Sequence, residues 1–250
     1  MTKVLAIAVA VMLAAANAAA ISDGALEAAI RQDDVATLRA ALDQGTPTSK
    51  VIPSREDRGD LLTIAAYAGA RTIVDLLLAR HADVDGQPAI AHHENEWGHS
   101  PLYLAARAGH TEVVETLLRH GANASLADNA GFAPVHAAAA FGRIEAIRAL
   151  LRAGVSVNAR STRGDTPLKV AAMRRQSATA IALLGERADP NLRDERGDTA
   201  LHEAVRARDT ALVRELLAAG AQVTANNYGR TPLDDAKSFA PDLVKLIEQR

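Results

Sequence analysis

The residues best suited to chemistry lie in one short segment that combines imidazole and carboxylate side chains. These are His92, His93, Glu94, Glu96 and His99. Imidazole nitrogens and carboxylate oxygens are groups that bind zinc and copper, so a metal-binding or metal-handling protein is one hypothesis for function. The alternative is a solvated polar loop, because ligands this close in sequence seldom complete a tetrahedral site without a second element.

Catalytic motifs are absent from the sequence. It contains no glycine-rich phosphate loop, no nucleophile elbow and no His-Glu-x-x-His pair. The chain has no cysteine, which excludes disulfides and thiolate metal sites. No feature therefore favours an enzyme, and we expect no catalytic residue and no cofactor.

The elements that must position these residues come from an internal repeat. Glycines recur at spacings of 33, 33, 33 and 32 residues, at Gly98, Gly131, Gly164, Gly197 and Gly229. A leucine or valine follows four residues after each glycine. Self-similarity at this period is typical of a stacked solenoid, in which no unit can cover its apolar face alone.

Within each period the residues resemble the ankyrin repeat. Its Thr-Pro-Leu-His start is matched wholly or in part by Ser100-Pro101-Leu102, Thr166-Pro167-Leu168, Thr199-Ala200-Leu201-His202 and Thr231-Pro232-Leu233. Its paired alanines and paired leucines are matched at, for example, Ala105-Ala106 and Leu117-Leu118. The resemblance covers nearly all of residues 22 to 250. It implies an all-α fold, an ankyrin-repeat solenoid of about seven helix-turn-helix units with β-hairpin loops. It also implies that His136 and His202 brace neighbouring loops.

Local chemistry predicts the same helix pairs. Thr or Ser followed by Pro is a helix N-cap with proline at the first helical position, where its missing N–H costs nothing. A left-handed glycine then ends the second helix at Gly121, Gly154 and Gly220. His81 and Arg187 stand where such glycines are expected, and Arg208 stands where the turn glycine of unit six is expected. If the left-handed turn is kept, each costs on the order of 1 kcal/mol.

The first 20 residues are predicted to be a signal peptide outside the fold. Lys3 precedes an apolar run at residues 4 to 16, and the small residues that follow suit a signal peptidase. An uncleaved anchor is the alternative, because the apolar span approaches the roughly 17 to 25 residues of a membrane helix. We expect export, either to a bacterial periplasm or by secretion.

The remaining sequence is predicted to form a capped array. The predicted segments are an N-terminal capping repeat with its connector at 21–57, repeat two at 58–96 with an inserted loop at 86–96, repeats three to six at 97–227, and a C-terminal capping repeat at 228–250. Insertions in repeat arrays lie in loops on one face, often the binding face. The connector is expected to be extended, and Asp234 and Asp235 of the C-terminal cap to face solvent.

The predicted contact surface follows two rows of positions. The resemblance implies that the hairpin tips and the outer ends of the first helices line the concave face, where a partner protein binds. Aromatic, methionine and arginine side chains, which concentrate binding energy, fill these rows here. The predicted contact residues are Trp97, Phe132, Phe141, Arg163, Met173, Arg174, Arg196, Arg206 and Tyr228. The alternative is that Phe132 and Phe141 pack between units and that the arginines only solubilise.

Overall charge says little about the partner. The net charge is −2, which gives no general attraction to nucleic acid or to an anionic membrane. No continuous basic stripe is present, and this too argues against nucleic acid. The arginines in the two rows instead favour a protein partner with an acidic patch. We expect a monomer that is not membrane-bound once the signal is cleaved.

Overall fold

The computed structural model describes residues 21–52, 59–86 and 99–249. These residues form seven consecutive helix pairs, which we number as units one to seven. The first helices are, in order, Asp23–Arg31, Leu61–Ala68, Pro101–Ala108, Pro134–Ala140, Pro167–Met173, Ala200–Arg206 and Pro232–Phe239. The second helices are Val35–Asp43, Arg71–Ala79, Thr111–Arg119, Ile144–Arg152, Ser177–Gly185, Thr210–Ala218 and Val244–Glu248, the last preceded by a 3-10 turn at Pro241–Leu243.

The first helices begin where the sequence supplies a cap. The hydroxyls of Ser100, Thr166 and Thr231 each accept a hydrogen bond from the backbone N–H three residues further on. A proline follows each of these caps. In unit two the carboxylate of Asp60 caps the first helix and accepts a hydrogen bond from the Thr63 N–H at 2.7 Å. Each cap satisfies a backbone donor that has no partner within its helix.

Left-handed residues end the second helices as predicted. The glycines Gly121, Gly154 and Gly220 have φ values of 88°, 91° and 88°. The non-glycine residues with positive φ in the described chain are Asp33, His81, Arg175, Arg187 and Arg208, at 52° to 64°. The turns are therefore kept where glycine is absent, and the backbone carries the predicted strain.

The core lies between two layers of helices. First helices stack on first helices through buried alanines such as Ala105, Ala138 and Ala171. Second helices stack on second helices and present leucines such as Leu117 and Leu150 to the same core. Because alanines allow closer approach, the first helices contact one another more extensively, and the array curves toward them.

Hairpin tips join the units along one edge. In unit four the Asp128 carboxylate accepts hydrogen bonds from the N–H groups of Ala130 and Phe132, and Asp194 and Asn226 repeat this turn. Neighbouring tips are also bonded backbone to backbone. These bonds run from Thr162 N to Ala130 O (3.2 Å), Glu195 N to Arg163 O (2.9 Å) and Asn227 N to Arg196 O (2.8 Å). The tips consequently form one continuous edge.

One detail adds to the sequence-based expectations and another contradicts them. Val51–Ile52 is extended, as expected of the connector, and pairs antiparallel with Gly59–Asp60. Asp235 was expected to face solvent, and this was wrong: it is 1% exposed. Its carboxylate accepts from the guanidinium groups of Arg206 and Arg230, both at about 2.8 Å, which makes its burial tolerable.

The predicted signal peptide lies outside the described residues, as does most of the predicted insertion at 86–96. Among the helices that the structure describes, none has the length and apolar character needed to cross a membrane.

Candidate binding groove

The predicted contact residues fall on two sides of the first helices. Trp97 lies outside the described residues. The residues at the hairpin tips are Phe132, Arg163, Arg196 and Tyr228. The residues at the C-terminal ends of first helices are Phe141, Met173, Arg174 and Arg206.

The second group belongs to a row that we call the turn row. It runs along the inner side of the curve and consists of Tyr67, Arg107, Phe141, Met173, Arg174 and Arg206. Phe141 is 46% exposed and Met173 is 43% exposed. The guanidinium of Arg107 lies 5.0 Å from the centre of the Phe141 ring, a distance suited to a cation–π contact. The row therefore presents apolar and cationic groups side by side.

A cavity of about 330 Å³ opens within the turn row. It is lined by Tyr67, Arg107, Ala108, His110, Phe141 and Arg143. The His110 ring nitrogen Nε2 lies 3.0 Å from the Tyr67 carbonyl oxygen, and Arg143 Nε donates to the Arg107 carbonyl at 3.1 Å. These bonds to neighbouring units hold the lining in place, so the cavity is formed before any partner arrives.

An aromatic pair lies beside this cavity in unit three. The rings of His99 and Tyr103 stack with centres 4.2 Å apart, and the Tyr103 hydroxyl donates to the Asp128 carboxylate at 3.5 Å. Burial, reinforced by Asp128, raises the pKa of Tyr103 to about 12, while the positive charges of Arg107 and Arg174 act against this rise. The positive charge of Arg174 in unit five therefore acts on a side chain of unit three.

Positive charge is concentrated on the turn row and its adjoining turns in units three to five. Arg143, Arg174 and Arg175 form no ion pair with any residue in the described part of the chain. Arg107 adds a fourth guanidinium to this cluster. The nearby carboxylate of Asp209 accepts hydrogen bonds from the Ser177 hydroxyl of unit five and from the Leu212 N–H of its own helix.

Arg206 differs from these arginines because carboxylates surround it. It donates to Asp198 at 2.7 and 3.1 Å and to Asp235 at 2.8 Å. Burial lowers the pKa of Arg206, but the hydrogen bonds that it donates to Asp198 and the negative charges of Asp198 and Asp235 outweigh this effect and raise the pKa overall. The geometry gives Arg206 a structural role in joining units six and seven, and its contact with a partner stays a prediction.

The hairpin-tip residues differ in their solvent exposure. Tyr228 is 73% exposed, and Arg163 and Arg196 are exposed. Phe132 is half-buried, with its ring edge-on to His136 at 5.5 Å between centres. The tips therefore offer one aromatic and two cationic groups, while Phe132 is partly used in packing.

His136 and His202 brace neighbouring loops as the resemblance implied. In each ring Nδ1 accepts from the backbone N–H three residues earlier, at 3.2 Å from Ala133 and 3.1 Å from Thr199. Nε2 then faces carbonyl oxygens of the next unit at 3.1 to 3.2 Å. Burial lowers the pKa of both rings. The alanine at position 133 is sufficient because its backbone N–H, not a side chain, makes the bond.

Lys169 is a buried charge that sequence reasoning missed. It takes the position of these histidines in unit five and is 4% exposed. Its ammonium donates to Asp165 and Asp194, both at 2.7 Å. Burial lowers the pKa of Lys169, but these two carboxylates raise it above its ordinary value. The available signal was an Asp four residues before a Lys, at the repeat position that holds histidine in units four and six.

The metal hypothesis falls mostly outside the described residues. His92, His93, Glu94 and Glu96 lie there, and His99 stacks on Tyr103. Among the residues that the structure describes, no group of three or more His, Cys, Asp or Glu could hold a metal ion. Elemental analysis of untagged protein tests the hypothesis, because it requires stoichiometric metal.

Comparison with known proteins places this geometry in a family. A protein-family model described as ankyrin repeats (3 copies) matches residues 62–161, 131–194 and 168–249. Together these residues make up more than half of the chain. The protein belongs to the ankyrin repeat family. Its helix pairs are ankyrin repeats, and ankyrin repeats indicate a protein–protein interaction module.

A solved structure and a curated relative are similar to this ankyrin repeat protein. The crystal structure of the human ASB11 ankyrin repeat domain matches with a TM-score of 0.75 and 26% identity, covering 89% of this chain and 96% of that one. Palmitoyltransferase AKR1 of Lachancea kluyveri is 31% identical over 104 residues, which are 42% of this chain. The match spans only 13% of that relative.

Proposed function

We propose that this ankyrin repeat protein is a non-enzymatic module that binds a partner protein along the turn row. One observation carries the proposal: exposed Phe141 and Met173 adjoin Arg143, Arg174 and Arg175, which lack ion pairs within the described chain. Exposed aromatic and arginine side chains at one place are the usual source of binding energy. The cationic groups fit a partner with an acidic patch.

Internal bonding of the titratable groups supports a role without catalysis. The rings of His136 and His202 bond to backbone groups, and Lys169 is held by two carboxylates. None of these three groups lines the cavity of the turn row. Their shifted pKa values therefore have structural causes, so they do not mark a catalytic centre.

Export is the second part of the proposal. The N-terminal composition supports a cleaved signal peptide and a periplasmic or secreted monomer. Mass spectrometry of the protein purified from separated cell fractions tests this. We expect a mature chain that begins near Ala19 or Ile21, in the exported fraction. Recovery of Lys3 in protein from the cytoplasmic fraction would contradict export.

Partner capture tests the binding surface. The mature protein is cross-linked in its own compartment and the bound protein is identified by mass. We expect the double variant Phe141→Ala with Arg174→Ala to reduce capture at least tenfold while helicity stays unchanged. The matched control is Ile181→Ala with Arg214→Ala, exposed residues of the second-helix layer. Capture that is equal in both double variants would refute the surface assignment.

A further inference from the structure

We propose that the partner docks as an extended acidic segment laid across the turn row of units two to five, with an apolar side chain in the cavity beside Phe141. The inference rests on the proposed function and adds to it the conformation and the chemistry of what is bound.

The spacing of the units favours an extended segment. First helices pack directly on first helices along the array, and packed helices lie about 8–10 Å apart. A polyproline II chain advances about 3.1 Å per residue with three residues per turn, so its side chains repeat every ~9 Å on the same ridge. Residues three apart in such a segment would therefore meet successive units of the array.

The size of the cavity agrees with this mode of binding. Its volume of about 330 Å³ suits one or two side chains. An extended chain can lower a single apolar side chain between the walls formed by Tyr67 and Phe141. Met173, whose unbranched side chain adapts to irregular surfaces, can cover it from the next unit.

The arginine side chains on this surface favour acidic residues in the rest of the bound segment. Arg143 of unit four and Arg174 and Arg175 of unit five are exposed and lack ion pairs within the described chain. Arg71 of unit two already pairs with Glu112 at 2.9 Å. Carboxylates placed beside the apolar residue would match the three guanidinium groups with planar, bidentate contacts. A polyanion without apolar groups would leave Phe141 and Met173 uncovered, so we favour a polypeptide.

Fluorescence anisotropy with synthetic peptides tests the segment. The probe is a labelled twelve-residue (Glu-Pro-Leu)4 peptide, which presents one acidic and one apolar ridge. The comparison peptides have the same composition without the three-residue period, or lysine in place of glutamate. At low salt we expect the periodic acidic peptide to bind at least tenfold more tightly than either. Equal binding of the two acidic peptides, or tighter binding of the basic one, would overturn the inference.

Matched variants show where the peptide binds. We expect Phe141→Ala, and separately Arg174→Glu with Arg175→Glu, to weaken (Glu-Pro-Leu)4 binding at least tenfold. The controls are Ile181→Ala, and Arg39→Glu with Arg214→Glu, which make the same changes on exposed second-helix residues. Circular dichroism confirms that each variant is folded. Equal loss in the control variants would mean non-specific attraction and would overturn the inference.

The two proposals fail separately. If the peptides do not bind as described but partner capture still depends on Phe141 and Arg174, the extended acidic segment is wrong and the binding module stands. If capture does not depend on these residues, the proposed function itself fails. Tight binding of heparin with no effect of Phe141→Ala would likewise overturn the choice of a polypeptide.

Discussion

At the scale of single residues, backbone conformation is chosen by position in the repeat. Arg187 takes a φ of 64° and Arg208 one of 57°, because the chain must leave each helix in the same direction as in the units that have glycine. A Cβ atom in this region is crowded by the neighbouring backbone. The surrounding packing holds these residues in place, and the strain remains in the folded state.

Relief of this strain is testable at Arg187. We expect Arg187→Gly to stabilise the fold by about 0.5–1 kcal/mol, since relief of the left-handed strain exceeds the entropy that glycine adds to the unfolded chain. The control is Arg214→Gly in the middle of an exposed helix, which should destabilise by about 1 kcal/mol. Urea denaturation measures both. A loss of stability in both variants would show that Arg187 is unstrained.

At the scale of helices and loops, buried ion pairs link the last three units. Lys169 joins the first helix of unit five to Asp194 in the next hairpin tip, and Arg206 joins unit six to Asp235 of unit seven. The Lys169 ion pairs take the place of the histidine ring of units four and six, whereas the Arg206 ion pairs lie beside the His202 ring in unit six. The contacts between these units therefore depend on several oppositely charged side chains at once.

Removal of one partner should weaken this joint strongly. Lys169→Met leaves the carboxylates of Asp165 and Asp194 buried and uncompensated, and we expect a loss of about 3–5 kcal/mol. The matched control is Lys237→Met, at an exposed lysine, with a change within about 0.5 kcal/mol. Denaturant unfolding of both variants provides the measurement. Equal stability of the two variants would contradict the structural role of Lys169.

At the scale of the whole molecule, the described units contact mainly their neighbours. Each first helix contacts the next, and most second helices contact the next one in the same way, as expected for a one-dimensional array. Effects that act on several units therefore add along the chain. Protonation is one such effect, because buried histidines occur in units four and six.

We expect stability to fall as the pH drops from about 7 to 5. Burial lowers the pKa of His136 and His202 below the ordinary value near 6.5, so the unfolded chain binds more protons in this range. Their contribution is fully present above pH 6.5 and decreases as the pH falls toward their folded values. Glu203, whose pKa is raised by burial, opposes this trend at lower pH.

Urea midpoints at pH 7.5, 6.5 and 5.5 measure this pH dependence of stability. We expect His202→Gln to make the midpoint less dependent on pH. Constant midpoints would contradict it.

The sequence by itself determined the period, the helix caps and the left-handed turns of this protein. A Ser or Thr before Pro caps a helix, and a glycine ends one, through contacts within a few residues. These local rules recur in several units, so the helix pairs and the rows of exposed positions could be predicted from residues such as Thr166 and Gly154.

Only the tertiary structure decided how the rows are used. Asp235 is buried because Arg206 and Arg230 meet its carboxylate, and Lys169 is buried because Asp194 lies across the joint. Arg174 remains without an ion pair in the described chain and lies close enough to act on Tyr103 of unit three. The contacts of Lys169 with Asp194 and of Arg206 with Asp235 join residues 25 or more positions apart. They depend on which side chain the neighbouring unit presents, and no local pattern in the sequence contains that information.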